Sequence, residues 1–211
     1  MITLKGTSET SIIIKKSRFL GLACRIDDEQ QAQTILMQRR KQYYNATHHC
    51  YAFRLENGQM RYSDDGEPQG TAGLPMLEVI KSLGLSDVLV ICTRYFGGTL
   101  LGSGGLVRAY TKSTSDTLDA AQKVTLIPGS IYECRFSYAT WARAEKSLSE
   151  AGYIIDNILF SDDVVARICV AGGNEGQFED FITNVSLGKT IPLPLGQRLI
   201  EHSVTRGSKD S

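Results

Sequence analysis

Val88-Leu-Val-Ile-Cys-Thr-Arg-Tyr-Phe-Gly-Gly-Thr-Leu-Leu-Gly-Ser-Gly-Gly-Leu-Val-Arg-Ala-Tyr110 is the stretch from which the architecture is read. Val88–Thr93 is β-branched and apolar, the composition of a buried strand. The glycines that follow break it, and a helix is expected to begin near Gly104 or Gly105. Gly102, Ser103, Gly104 and Gly105 thus sit between a strand and a helix start. Backbone N–H groups at such a start, with no side chains over them, can hold an anion such as phosphate. Arg94 before the loop, and Arg108 and Lys112 one turn apart after it, would add positive charge. The plainer alternative is a tight glycine connection packed against a sheet. A Walker A loop is excluded, because no Gly-Lys-Ser/Thr follows.

Upstream, Thr10–Ile14 and Arg18–Ile26 read as strands. Asp28–Tyr44 reads as a helix capped by Asp27 or Asp28, with Ala32, Ile35, Leu36 and Tyr43 as its apolar stripe. His48–Leu55 is expected to pair with Arg61–Ser63 through an Asn57-Gly58 turn. Met76, Val79, Ile80 and Leu83 have helical spacing after Pro75. Downstream, the pattern breaks at Gln122–Gly129, which ends in Pro128-Gly129. Charge shifts there too: 15 basic and 12 acidic residues up to Lys123, against 8 and 11 after it. From Ser130 the order is strand, helix, strand, strand, helix, strand, the βαββαβ of a ferredoxin-like sandwich. The expected organisation is α+β, with an N-terminal domain over 1–124, a ferredoxin-like domain over 125–204 and a polar tail over 205–211.

With 211 residues, 42% hydrophobic and 22% charged, the chain has the composition of a globular protein rather than a disordered or fibrous one. The 23 basic and 23 acidic residues balance, so any nucleic-acid binding must come from a local patch. Nothing resembles a secretory signal, and no apolar run approaches the roughly 18 residues of a membrane span. The five cysteines are an odd, dispersed set without a C-x-x-C pair, which argues for core thiols in a cytoplasmic protein.

Ten of the 20 glycines fall between Gly58 and Gly105, so the backbone there must turn tightly or approach something closely. The opening stretch and Tyr62-Ser-Asp-Asp-Gly-Glu-Pro-Gln-Gly-Thr-Ala-Gly-Leu-Pro-Met-Leu77 hold most of them. Asp64, Asp65 and Glu67 could hold Mg²⁺ through oxygen, although their spacing fits no known loop and an ordinary solvated turn is the competing reading. Gly70 and Thr71 lead into a second glycine-lined helix start, and the two starts are expected to converge on one groove. His48 and His49 are adjacent in a strand and point to opposite faces, so they cannot chelate one ion together. One of them, His48 in the groove reading, faces the same opening.

These segments resemble the IMPACT/YigZ family. Its signature D-G-E-P-x-G-T-A-G-x-P is matched by Asp65 to Pro75, and R-Y-[FY]-G-G-x-x-L-G-x-G-G-L-x-R-A-Y by Arg94 to Tyr110. K-K-S-R-F at Lys15 to Phe19 and H-H-C at His48 to Cys50 are similar as well. The resemblance implies an N-terminal domain like the second domain of a small-subunit ribosomal protein, shared with elongation factor G domain IV. It further implies a C-terminal domain like elongation factor G domain V. Eukaryotic relatives regulate translation in the amino-acid-starvation response through an added RWD domain, and the interaction made by that domain is not carried over.

The leading expectation is a non-enzymatic RNA- or ribosome-associated protein that influences translation. Arg94, Arg108 and Lys112 would meet phosphates, and Tyr95, Phe96 or Tyr110 would stack on bases if exposed. The alternative is a Mg-dependent enzyme or a binding protein for a phosphorylated small molecule or nucleotide, with His48 or His49 handling a proton. A protein-interaction module whose glycines only build the fold is the third. No residue set commits to a nucleophile or a base, so no catalytic residue, metal site or cofactor is assigned.

Overall fold

The structure, a computed structural model, describes residues 1–202; the polar tail expected over 205–211 lies outside them. The described chain divides into two compact units, Met1–Thr125 and a second that begins at Leu126.

In the first unit, β2 (Thr7–Ile14), β3 (Ser17–Arg25), β6 (Val88–Tyr95), β4 (His48–Arg54) and β5 (Met60–Ser63) form an antiparallel sheet in that spatial order. The central strand β6 is buried along nearly its whole length, as its uninterrupted apolar run requires. Its side chains alternate between two cores. Val88, Val90 and Cys92 meet α2 (Gly73–Ser82) and α3 (Ser103–Ala120), while Leu89 and Ile91 meet α1 (Glu29–Gln42). The sheet therefore lies between one helix and two. Asp28 caps α1 as expected, its carboxylate accepting the Gln31 N–H at 2.7 Å. The short strand β1 (Ile2–Lys5), absent from the sequence reading, pairs with Gln122–Thr125 and buries Leu4.

The second unit has the expected alternation. The later part of β7 (Gln122–Phe136) is followed by α4 (Tyr138–Glu150), β8 (Ile154–Phe160), β9 (Val164–Ala171), α5 (Glu175–Ser186) and β10 (Leu193–His202). With β10 beside β7, then β9, then β8, the strands stand in the order 4-1-3-2 of a ferredoxin-like sheet. Tyr132, Phe136, Val164, Ile168, Trp141 and Phe178 are among the side chains that fill its core. The chain as a whole is α+β. The strand expected from Ser130 begins earlier, since β7 runs from Gln122 on through Pro128-Gly129, and the division between the two units falls within this strand. Pro128 falls between the residues paired with β1 and those paired with β9, where neither ladder asks for its missing N–H. No helix of the described residues is long and apolar enough to cross a membrane.

Candidate functional site

The antiparallel register sets His48 of β4 directly opposite Arg94 of β6. Onto this pair the loop between β5 and α2 lays Glu67. Its Oε1 accepts from Arg94 Nη1 at 2.6 Å and from Tyr110 Oη, on α3, at 2.7 Å. Arg94 Nη2 also donates to Ser17 Oγ at 3.2 Å, and the guanidinium lies 5.3 Å from the Phe19 ring and 5.6 Å from that of Phe96. Arg94 Nε is buried without a partner. Two residues assigned from sequence to different roles, phosphate contact and groove wall, are thus partners in one ion pair.

A cavity of about 370 Å³ opens over this group. His48, Glu67, Arg94, Phe96, Leu100 and Gly102-Ser103 are among the residues that line it. Its far wall is the start of α3. Gly102 stands at the N-cap position with φ of 72°, a left-handed conformation that suits glycine, and no side chain caps the helix. The first amides of α3, at Ser103, Gly104 and Gly105, have no carbonyl to bond within the helix. Positive potential from the helix end adds to them.

The start of α2 is different. Asp64 Oδ1 accepts the N–H groups of Ala72 and Gly73 at 3.0 and 2.8 Å, and Oδ2 accepts that of Gly70 at 2.8 Å. That entrance is filled by the protein's own carboxylate, and Gly70 lines a separate groove with Leu74, Pro75 and Val107. The two glycine-lined starts do not converge. Thr71 is buried and spends its hydroxyl on the Pro68 carbonyl at 2.6 Å. Asp65 accepts from the His49 N–H at 2.7 Å and from Arg40 at 2.6 Å. The three carboxylates offered for Mg²⁺ are each taken up by different protein donors. Among the described residues no group of three His, Cys, Asp or Glu is placed to hold a metal ion.

The remaining cations gather on the other side of α3's first turns. Gly105, Arg108 and Lys112 line a second opening of about 250 Å³ together with Ile14, Lys15 and Leu101. Lys112 pairs with Asp116 at 2.9 Å. Lys15 and Arg108 have no ion-pair partner among the described residues. A methyl group at Gly104 would lie 3.6 Å from Arg108 Nη1, so this guanidinium reaches back toward the helix start. Lys15 is the residue sequence reasoning did not assign, although it opens the quoted K-K-S-R-F run. Phe96 and Leu100, 46% and 83% exposed, are apolar residues on the rim of the larger cavity. Tyr110 is fully buried and Tyr95 is engaged by Arg18 and Asn45, so of the three aromatic candidates only Phe96 faces an opening.

The histidines separate as the strand demands. His48 Nδ1 meets the Asp65 carbonyl at 2.8 Å, a partner that assigns the proton to Nδ1. His49 turns to Thr93 Oγ1 at 3.2 Å, and burial holds its pKa below the ordinary value, against the opposing charge of Asp65. Burial likewise raises the thiols: Cys24 to about 11 and Cys92 to about 12, with Cys50 pushed up as well. These are protonated core thiols, not activated nucleophiles.

Residues 15–118 match the Impact N-terminal domain. IMPACT family member YvyE of Bacillus subtilis (strain 168) is 38% identical over 190 residues, which cover 89% of this chain and 88% of that one. IMPACT family member YigZ of Escherichia coli (strain K12) is 31% identical over 83% of this chain and 88% of its own. A crystal structure of a hypothetical protein superposes with a TM-score of 0.58 at 29% identity, over 91% of this chain and 95% of that one.

Proposed function

The chain belongs to the IMPACT family, and from that membership and the chemistry at the start of α3 we infer that it acts in translation as a cytoplasmic RNA- or ribosome-associated factor, by binding and not by catalysis. The observation that carries this reading is the second opening. Among the described residues Lys15 and Arg108 stand without carboxylate partners beside an uncapped helix start, on a chain whose overall charge is balanced. Unpaired cations next to free backbone amides suit a run of phosphates, and such binding is salt-sensitive because counterions are released. The domain over 1–124 would carry this surface.

The test is sucrose-gradient sedimentation of a lysate at low and high salt, blotting for the wild type and for Lys15→Glu/Arg108→Glu. Co-migration with ribosomal fractions that is lost at high salt, and lost at low salt in the double variant, is the expected result. A protein that stays at the top of the gradient in both salts, or a variant that sediments like the wild type, overturns the reading.

A further inference from the structure

The cavity over Glu67 and Arg94 contains a mismatch that the proposed phosphate-binding surface does not use. Glu67 Oε1 receives two donors, but Oε2 receives none, although the side chain is only 3% exposed. His48 Nε2 lies 3.8 Å from it. His48 Nδ1 donates to the Asp65 carbonyl, so whenever the ring is neutral its lone pair lies at Nε2. Two acceptors then face each other across the cavity with no protein donor between them among the described residues, so what meets them must come from the cavity itself. An amino group supplies two N–H bonds from one atom and satisfies both.

Lining the same cavity are Gly102 and Ser103, at the start of α3 with its unbonded amides, a seat for a phosphate. Besides the acceptor pair and this anion seat, the cavity is lined largely by apolar side chains, Leu101, Leu106 and the exposed Phe96 and Leu100 among them. A volume of about 370 Å³ falls within the range of small-molecule sites. An acceptor pair, an apolar and aromatic waist and an anion seat match the three parts of a nucleotide.

We propose that this cavity receives one unstacked nucleotide whose base carries an exocyclic amino group, with the amino group between Glu67 and His48 and the phosphate at the start of α3. Uracil is disfavoured, since its O4 would bring a third acceptor to the pair. The nucleotide is either free or an unpaired residue of an RNA, and in the second form the proposal rests on the RNA-binding reading above, with Lys15 and Arg108 taking neighbouring phosphates.

Calorimetry on the full chain with AMP, CMP, GMP and UMP, and with short A-rich and U-rich single-stranded RNAs, tests it. The amino-bearing nucleotides are expected to bind at least tenfold more tightly than UMP. Glu67→Gln places an amide donor where Oε2 was, so the ratio of UMP to AMP affinity should rise at least tenfold. Should that variant not fold, Ser103→Glu decides. An acidic residue in the first helical turn favours the helix but competes with the phosphate, so stability should hold or rise while nucleotide affinity falls at least tenfold. Equal affinity for UMP and AMP, or unchanged affinity in Ser103→Glu, overturns the proposal. RNA binding that lacks base preference but weakens in Lys15→Glu/Arg108→Glu would overturn the pocket and leave the RNA reading standing. Selective binding of free nucleotides without any binding of RNA would do the reverse.

Discussion

Glu67 and Arg94, 27 positions apart in the chain, form an ion pair at 2.6 Å with side chains only 3% and 5% exposed. The two glycine-rich segments are joined through it, one on a loop and one on the central strand. Removing one member strands the other charge in a buried site, which costs about 3–5 kcal/mol. Arg94→Met should lower the urea midpoint accordingly without altering the slope of the transition. Arg94→Met/Glu67→Leu should recover much of the loss, since an apolar pair can replace a buried ion pair. A single variant as stable as the wild type would show that the pair holds nothing.

Asp64 accepts three backbone N–H groups at the start of α2. Asp64→Ala leaves all three unmet and should destabilise the protein by about 1–3 kcal/mol, with Asp64→Asn intermediate. Hydrogen exchange at Ala72 and Gly73 should accelerate in step. Unchanged exchange there would mean that another acceptor takes over.

Gly97 and Gly98 separate two kinds of glycine requirement. A Cβ at Gly97 would lie 2.1 Å from the backbone of Lys16, whereas one at Gly98 would meet nothing within 4 Å and suffers only from a φ of 80°. Gly98→Ala should cost about 1–2 kcal/mol, the left-handed penalty. Gly97→Ala forces the β2–β3 turn to move and should cost more, about 3 kcal/mol or above. Thermal denaturation of the two side by side gives the order, and equal losses would contradict it.

His49 supplies a pH dependence with a definite sign. Burial lowers its folded pKa below 6.5, so between the two values the unfolded chain binds more protons. Its contribution is constant above about 6.5 and is lost as pH falls through the lowered value. Urea unfolding across that interval should show a shallower acid limb in His49→Gln than in the wild type. Parallel limbs would remove His49 from the account.

Much of this architecture is legible in sequence because its signals are local. Asp28 caps the helix it precedes, Val88–Thr93 announces a central strand by composition, and the second half declares its strand–helix alternation. β1 escaped because four residues carry no usable period and their partners lie about 120 positions away. β7 was cut short because Pro128-Gly129 is turn chemistry locally, and only the ladders on either side make it tolerable. Of the candidate site, the sequence marks the two glycine-rich segments that line the cavity, yet nothing local says that Glu67 folds onto Arg94, that Asp64 closes the α2 start, or that Lys15 reaches α3 from a hairpin.

The contrast between the two helix starts has a consequence for how selection has acted on this domain. At α2 the protein satisfies its own amides with Asp64; at α3 it forgoes a cap that would add about 1 kcal/mol. A glutamate at position 103 would recover part of that stability by a single substitution. Proteins near a stability threshold gain from such changes unless activity suffers. If the anion seat proposed above is what this start serves, the missing cap at α3 is the stability given up to keep those amides open, and binding rather than folding would set what residue 103 can be.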